Sequence, residues 1–233
     1  MLGTLARRFA NLAFGGRCFL CRGAAGAVLC AECDADLPRL VGPLCPRCAL
    51  AAPAGEVCGR CLAHPPAYDA TVAALGYEFP ADALVQALKF RGELALAPLL
   101  GALLAARLPR AAPVDCVLPV PLAAARLRAR GFNQAMEIAR HVARATGSRL
   151  EPALAERSRD TAAQVDLPHD ARVRNVRGAF RCARALEGAA VAVVDDVMTT
   201  GATLDELAGT LKRAGAARVV NWVVARTPAP ADA

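Results

Sequence analysis

The stretch "VAVVDDVMTTGATLDEL", Val191 to Leu207, runs from a β-branched apolar segment into two adjacent carboxylates, Asp195 and Asp196, and then through a Thr/Gly turn. The apolar half is too uniform for a half-exposed strand and fits a parallel-sheet strand covered on both faces. The segment after it, "ATLDELAGTLKRAGA", sets Leu204, Leu207, Leu211 and Ala214 on one helical stripe and stops at Gly215, and "RVVNWVVA" is strand-like again. The product is a βαβ unit. Open α/β sheets bind ligands beyond the carboxyl ends of their strands, which is where Asp195, Asp196 and residues Thr199 to Thr203 fall.

The flanking sequence extends the same alternation. "ATVAALGYEF" (Ala70 to Phe79) predicts a strand or a strand pair. "ADALVQALKF" and "LALAPLLGALLAARL" predict helices, the first with Leu84, Val85 and Leu88 on one face. "VDCVLPV", Val114 to Val120, is a short apolar run bounded by prolines and predicts a buried strand. "NQAMEIARHVARATG" predicts a helix capped by Asn133, with Met136, Ala139, Val142 and Ala143 apolar and Gly147 as its stop.

A Gly-containing turn that opens a helix aims free backbone N–H groups outward and forms an anion cradle, to which Thr199, Thr200 and Thr203 add hydroxyls. Carboxylates beside a phosphate must face something else, namely sugar hydroxyls or a hard cation such as Mg²⁺. A sugar phosphate satisfies both halves. The plainer reading is a strand-end carboxylate and a Thr-capped helix, which accounts for one polar residue and not for the cluster. The chain has no G-x-x-x-x-G-K-[ST] loop and no well-placed G-x-G-x-x-G.

Eight of the ten cysteines form four C-x-x-C pairs: Cys18/Cys21, Cys30/Cys33, Cys45/Cys48 and Cys58/Cys61. Two such turns supply the four sulfurs of a tetrahedral zinc site, and so short a segment needs the metal as its core. Sequential and cross-braced pairing both remain open, with the short intervals favouring sequential ribbons and one or two ions. His64 reads as a linker residue, and Cys116 and Cys182 as buried small hydrophobes. "HPPAYD" marks a boundary. The expected organisation is an N-terminal helical segment (1–17), a double zinc ribbon (18–64), an α/β domain (65–226) and a flexible tail (227–233).

Composition excludes little but locates charge. The 233 residues carry a formal net charge of +7, and from Pro121 to Cys182 twelve arginines face six acids. Such a stretch attracts phosphate of any kind or serves as a solvated surface. The longest apolar run, Leu94 to Ala106, is closed by Glu93 and Arg107 and is shorter than the ~20 residues of a bilayer span. With no recognisable secretory signal, the expected location is cytoplasmic.

The motif "VVDDVMTTGAT" resembles the phosphoribosyl pyrophosphate (PRPP) motif of type I phosphoribosyltransferases. Together with the four C-x-x-C pairs, "LKFRG" (Leu88 to Gly92), "PVPL" (Pro119 to Leu122), "RGFNQA" (Arg130 to Ala135), the series Arg157, Thr161, Gln164, Arg174, Asn175, and "GAF" (Gly178 to Phe180), it makes the chain similar to the ComF family. The resemblance departs where Ala123, Ala124 and Ala125 stand in place of the family's common His-Pro-Arg, and where Ala162 and Ala163 replace the usual prolines.

The resemblance implies a type I phosphoribosyltransferase-like parallel sheet flanked by helices, with zinc ribbons in front. It implies PRPP with Mg²⁺ as ligand: Asp195 and Asp196 on the ribose hydroxyls, Thr199, Thr200, Gly201, Ala202 and Thr203 around the 5-phosphate, and Arg130 and Gly131 near the pyrophosphate. Lys89 and Arg126 are further cations for that pyrophosphate. Arg157, Thr161, Gln164, Arg174 and Asn175 lie on a segment suited to a lid or to a mobile loop. The family is implicated in DNA uptake, so single-stranded DNA and other uptake proteins are expected partners. The alternative is a non-catalytic zinc-ribbon DNA-binding or interaction module on a degenerate phosphoribosyltransferase fold. With aromatic residues at 4% of the chain, contact with a strand should be dominated by phosphate.

Overall fold

A computed structural model describes residues 15–109, 113–159 and 176–229. Residues 1–14 of the expected N-terminal segment, 230–233 of the tail, and Thr161, Gln164, Arg174 and Asn175 lie outside the described residues.

The strands are β1 (Ala70–Gly76), β2 (Cys116–Pro119), β3 (Arg149–Leu150), β4 (Ala155–Arg157), β5 (Phe180–Cys182), β6 (Ala190–Met198) and β7 (Arg218–Arg226). The helices are α1 (Ala31–Ala35), α2 (Gly59–Ala63), α3 (Ala81–Arg91), α4 (Ala97–Ala105), α5 (Ala124–Arg130), α6 (Gln134–Thr146) and α7 (Ala202–Arg213). Five strands form one parallel sheet in the order β1-β7-β6-β2-β3, and β4 and β5 form a separate antiparallel pair. The stretch from Ala70 is therefore a single strand rather than a pair. Its chain turns away at Gly76 and enters α3 after Pro80.

Local chemistry explains the helix ends. Asn133 caps α6 by accepting hydrogen bonds from the N–H groups of Ala135 (3.0 Å) and Met136 (3.4 Å), and Gly147 closes it at φ +69°. Pro98 lies in the first turn of α4, where its missing N–H costs nothing, so the expected long helix becomes a short 3₁₀ turn at Leu94–Leu96 followed by α4.

Both faces of the sheet are covered, as a parallel sheet requires. On one face Ala192, Val194, Val220, Trp222 and Val224 pack with Leu84 and Leu88 of α3, Leu100 and Leu104 of α4, and Ile138 and Val142 of α6. On the other face Val191, Val193, Val219 and Val223 pack with Leu204, Leu207 and Leu211 of α7. The cysteine-rich segment belongs to both cores. Cys18, Phe19, Val28, Leu29 and Leu37 join the first, while Cys45, Cys48, Ala49, Ala52 and Cys61 join the second. Residues 38–40 also run along edge strand β1: Leu40 N–H donates to Ala74 (3.2 Å) and Gly76 N–H to Pro38 (2.7 Å). An edge that would otherwise expose unpaired backbone groups is thereby closed.

The strand order fixes the place for a site. From β2 the chain proceeds to β3 on one side, whereas from β6 it proceeds through α7 to β7 on the other. The two connections diverge between β2 and β6, and the crevice at such a switch point is where doubly wound sheets take ligands. Asp195 and Asp196 stand at that end of β6.

Candidate functional site

Along β6 side chains alternate between faces, so Asp196 continues the row of Ala192 and Val194 toward α3. Lys89 of α3 meets it there, with Nζ 3.1 Å from Asp196 Oδ2. Asp196 is 3% exposed; its Oδ1 accepts from the Val197 N–H (2.9 Å), while Oδ2 has the ion pair but no aligned hydrogen bond. Burial works against the charge of Asp196, yet Lys89 and its hydrogen-bonding neighbours hold its pKa below the ordinary value. Asp195, half-buried, is pushed the opposite way, first by burial and then by the adjacent charge of Asp196, so its pKa lies well above the usual carboxylate range. Two neighbouring acids thus hold different protonation preferences, as is common in functional sites.

The loop from Met198 to Gly201 is held from behind. Arg226, 3% exposed at the end of β7, donates through Nε to the Cys48 carbonyl (2.8 Å) and through Nη1 to the carbonyls of Met198 (3.0 Å) and Thr199. Arg60 of α2 donates to the Thr200 carbonyl (3.0 Å). Peptide units are planar and trans, so carbonyls tied toward the cysteine-rich segment turn the N–H groups of Thr199, Thr200 and Gly201 away from it. Gly201 has φ +86°, and a Cβ there would lie 2.8 Å from Met198 Cε and 3.1 Å from the Tyr68 hydroxyl. Only glycine fits. It also serves as N-cap of α7 and has no side chain to cap with, while Thr200 Oγ1, one residue earlier, accepts from the Ala202 N–H (3.3 Å) at the start of the helix.

Lys89, Arg126, Arg130, Asp195, Asp196 and residues Thr199 to Thr203 line one cleft of about 510 Å³. Gly131 is not in its lining; it follows Arg130 as the left-handed cap of α5, at φ +81°. Ala123, one of the three alanines in place of His-Pro-Arg, is buried, and α5 begins directly after it. Arg157 reaches the cleft from the end of β4.

The cysteines resolve into two clusters, Cys18/Cys21/Cys30/Cys33 and Cys45/Cys48/Cys58/Cys61, with the sulfurs of each within 4.8 Å of one another. Pairing is therefore sequential. Cys21 and Cys30 sulfurs are 3.7 Å apart, as are those of Cys48 and Cys58. Sulfurs on one tetrahedral zinc at ~2.3 Å would be about 3.8 Å apart, so both clusters fit a structural zinc ion. Burial raises the cost of charge on Cys18, but the backbone N–H groups of Cys30, Cys21 and Leu20 outweigh it and draw its pKa to about 6. In the same way the N–H groups of Cys58, Cys48 and Arg47 overcome the burial of Cys45 and bring it to about 7. The neighbouring cysteines move the opposite way, Cys33 being pushed up to about 12 first by Cys30 beside it, so all four sulfurs of a cluster become thiolates together only around a cation. His64 is exposed and joins neither cluster, Cys116 is buried in β2, and Cys182, only half-buried, donates to the Arg184 carbonyl (3.2 Å) rather than filling a core.

Sequence reasoning missed Arg226, Arg60, Tyr68 and Gln86, and held Phe90 only as part of the "LKFRG" motif, with no role for its ring. For Arg226 a signal was present, since a charge closing the apolar run "RVVNWVVAR" is the same anomaly that marked Asp195 and Asp196. Nothing in the spacing of Arg60, between two cysteines, announces a partner 140 residues away.

Fold and site together define a double zinc ribbon fused to a five-stranded parallel α/β domain with a carboxylate-lined cleft at its switch point. Residues 9–62 match the family model described as "Double zinc ribbon domain". A DNA utilization protein YhgH of Salmonella typhi is 39% identical over 146 residues, 60% of this chain and 64% of that protein. Competence protein F of Haemophilus influenzae is 32% identical over 115 residues, 48% of this chain and 50% of that protein. The chain is a homologue of these proteins, spanning about half to two thirds of their lengths, and the relatives agree with the ComF resemblance read from the sequence. Among solved structures, glutamine PRPP amidotransferase from B. subtilis aligns at 26% identity over 55% of this chain and 25% of that one, with a TM-score of 0.39. Among the described residues no helix is long and apolar enough to cross a membrane.

Proposed function

We propose that the chain binds PRPP in this cleft as a phosphoribosyltransferase-like protein acting in DNA utilization. The observation that carries the reading is the juxtaposition, in one cleft, of the two carboxylates Asp195 and Asp196 with a loop whose carbonyls are tied back by Arg226 and Arg60. Ribose hydroxyls complement the first, and a 5-phosphate complements the second.

In a transfer reaction the bond from the anomeric carbon to pyrophosphate breaks as the bond to the acceptor forms. Pyrophosphate leaves with the electron pair, and the acceptor gives up a proton. Positive charge grows on the ribose ring in between. Asp195 and Asp196 act by position and field, complementing that charge without forming a bond to it. Lys89, Arg126 and Arg130 line the cleft on the α3 and α5 side and neutralise the departing anion. Mg²⁺ carried on the pyrophosphate would supply further charge neutralisation. The carboxylates suit the hydroxyls better than the ion, because Asp196 is already engaged by Lys89 at 3.1 Å.

The test is a calorimetric titration of PRPP with Mg²⁺ into the zinc-loaded protein and into the Asp195→Asn/Asp196→Asn variant. Saturable binding to the first that disappears in the second is the expected result. Equal affinity in both, or none in the first, removes this site assignment and favours the degenerate-fold alternative, with single-stranded DNA on the arginine-rich segment as the next ligand to try.

A further inference from the structure

Phe90 is the residue of the cleft that a sugar-phosphate site does not use. Its ring is 65% exposed at the C-terminal end of α3, although the same helix buries Leu84, Val85 and Leu88 completely. A single exposed apolar side chain is ordinary on a protein surface. This one differs in its surroundings. It lines the cleft that holds the carboxylates and the anion loop, and two cations stand at its ring: Arg130 Cζ 5.6 Å and Lys89 Nζ 5.8 Å from the centroid. Both are within cation–π range.

The cations are themselves fixed. Lys89 is anchored on Asp196 at 3.1 Å, so one side chain spans from the carboxylate to the aromatic ring. Arg130 donates to the side-chain carbonyl of Gln134, which is buried. The ring therefore stands at a set place beside the carboxylates, in the cleft lining, with the residue 65% exposed. One helical turn earlier, at the i−4 position and on the same face of α3, Gln86 is exposed and lines the same cleft. An amide beside an aromatic face offers a donor and an acceptor to the edge of whatever lies on the ring.

From this arrangement we infer that Phe90 and Gln86 form a subsite for a nucleobase, stacked on the ring and read at its edge by the amide. The inference rests on the PRPP reading for the placement of ribose at Asp195 and Asp196. A planar heterocycle joined to that ribose, or arriving at its anomeric carbon, is the chemistry that meets an aromatic face, two cations and an amide together. The sparse aromatic content of the chain is thus partly spent at the cleft. The base can arrive on a small nucleotide or within a single strand, and the chemistry recognised is the same.

The experiment compares wild type, Phe90→Ala and Phe90→Tyr, all zinc-loaded and full length. The probes are thymidine and adenosine monophosphates, a short oligothymidylate, and an abasic strand of equal length. Stacking on an aromatic side chain is worth ~1–3 kcal/mol per base, so Phe90→Ala should weaken a base-bearing probe roughly 5-fold to 150-fold while Phe90→Tyr retains it. The abasic strand should bind all three proteins alike. Loss confined to the monophosphates assigns a small acceptor, loss confined to oligothymidylate assigns a strand, and either supports the subsite. Unchanged affinity for every base-bearing probe, no binding of any of them by wild type, or an equal loss of the abasic strand overturns it. PRPP with Mg²⁺ is titrated in parallel. If wild type ignores PRPP while the Phe90 effect on bases persists, the PRPP reading fails and the base subsite does not.

Discussion

Replacing Arg226 tests whether the cysteine-rich segment shapes the anion loop. Arg226 is buried and joins three chain segments: the second cysteine cluster through Cys48, the end of β6 through Met198 and Thr199, and its own neighbour through the Thr227 carbonyl (2.9 Å). In Arg226→Met the stem packing survives and the donors vanish. The Met198 carbonyl keeps Thr227, through its N–H at 3.1 Å and its hydroxyl at 3.5 Å, whereas those of Cys48 and Thr199 lose the guanidinium. The buried Cys48 acceptor and the half-buried Thr199 acceptor, left without it at ~1–3 kcal/mol each, give a loss of ~2–6 kcal/mol as an upper range. Burial already lowers the pKa of Arg226, so removing the charge relieves part of its desolvation and moves the expected loss to the lower end, ~2 kcal/mol. Arg226→Lys keeps a charge but not the planar fork, so it can serve one end of the bridge and should fall between the two. Urea unfolding measures the stability, hydrogen exchange over residues 198–203 reads the loop, and PRPP titration should show an affinity reduced about tenfold or more. Arg226→Met within ~0.5 kcal/mol of wild type, with unchanged exchange in the loop, would refute the reasoning.

Two other outcomes follow from the same geometry. Removing the second cluster with Cys58→Ser/Cys61→Ser should lower PRPP affinity more than Cys18→Ser/Cys21→Ser, because Arg60 and the Cys48 carbonyl lie on the second cluster's side of the loop. Zinc content by mass spectrometry, read beside each titration, identifies which ion is lost, and equal effects of the two pairs would contradict the coupling. The raised pKa of Asp195, caused by burial and then by Asp196, makes the protonated form the better folded one. Its contribution to stability is complete below the unfolded value of ~3.9 and is lost as pH rises through the folded value, so Asp195→Asn should flatten that decline and stabilise the ligand-free protein at neutral pH. Thermal melts across pH check the slope; parallel curves for variant and wild type would count against it.

Much of the architecture was readable because it depends on local pattern. The run from Val191 to Val194 is covered on both faces by its own composition, the α6 cap at Asn133 is a one-turn interaction, and the stripe Leu204, Leu207, Leu211 needs only helical period. Places where the pattern misled were also local. The helix expected from Leu94 is broken by Pro98 into a 3₁₀ turn and α4, and Cys182 at the edge of the β4–β5 pair is only half-buried. For the site, the adjacent acids and the Thr/Gly turn announced themselves, because two charges at the end of a buried strand have no structural use. The exposure of Phe90 was hidden, since a phenylalanine two and three residues after buried Leu88 and Ala87 reads as one more core residue of α3 until its exposure is known.

By itself the sequence determined the long strands β1, β2, β6 and β7, the helices α3, α6 and α7 and the cysteine knuckles, and that a charged pair ends a buried strand, whereas the short strands β3 to β5 and helices α1, α2 and α5 carried too little periodic pattern to be read. Periodicity tells which face of an element is apolar and says nothing of which element it will meet. Only the tertiary structure decided that the knuckles pair sequentially, that Lys89 finds Asp196, and that Arg226 reaches back 178 residues to the Cys48 carbonyl. Those contacts arise because closing the sheet brings β7, β6, α3 and the cysteine-rich segment to one end of the domain. There a buried charge must find its partners among groups that no local pattern connects.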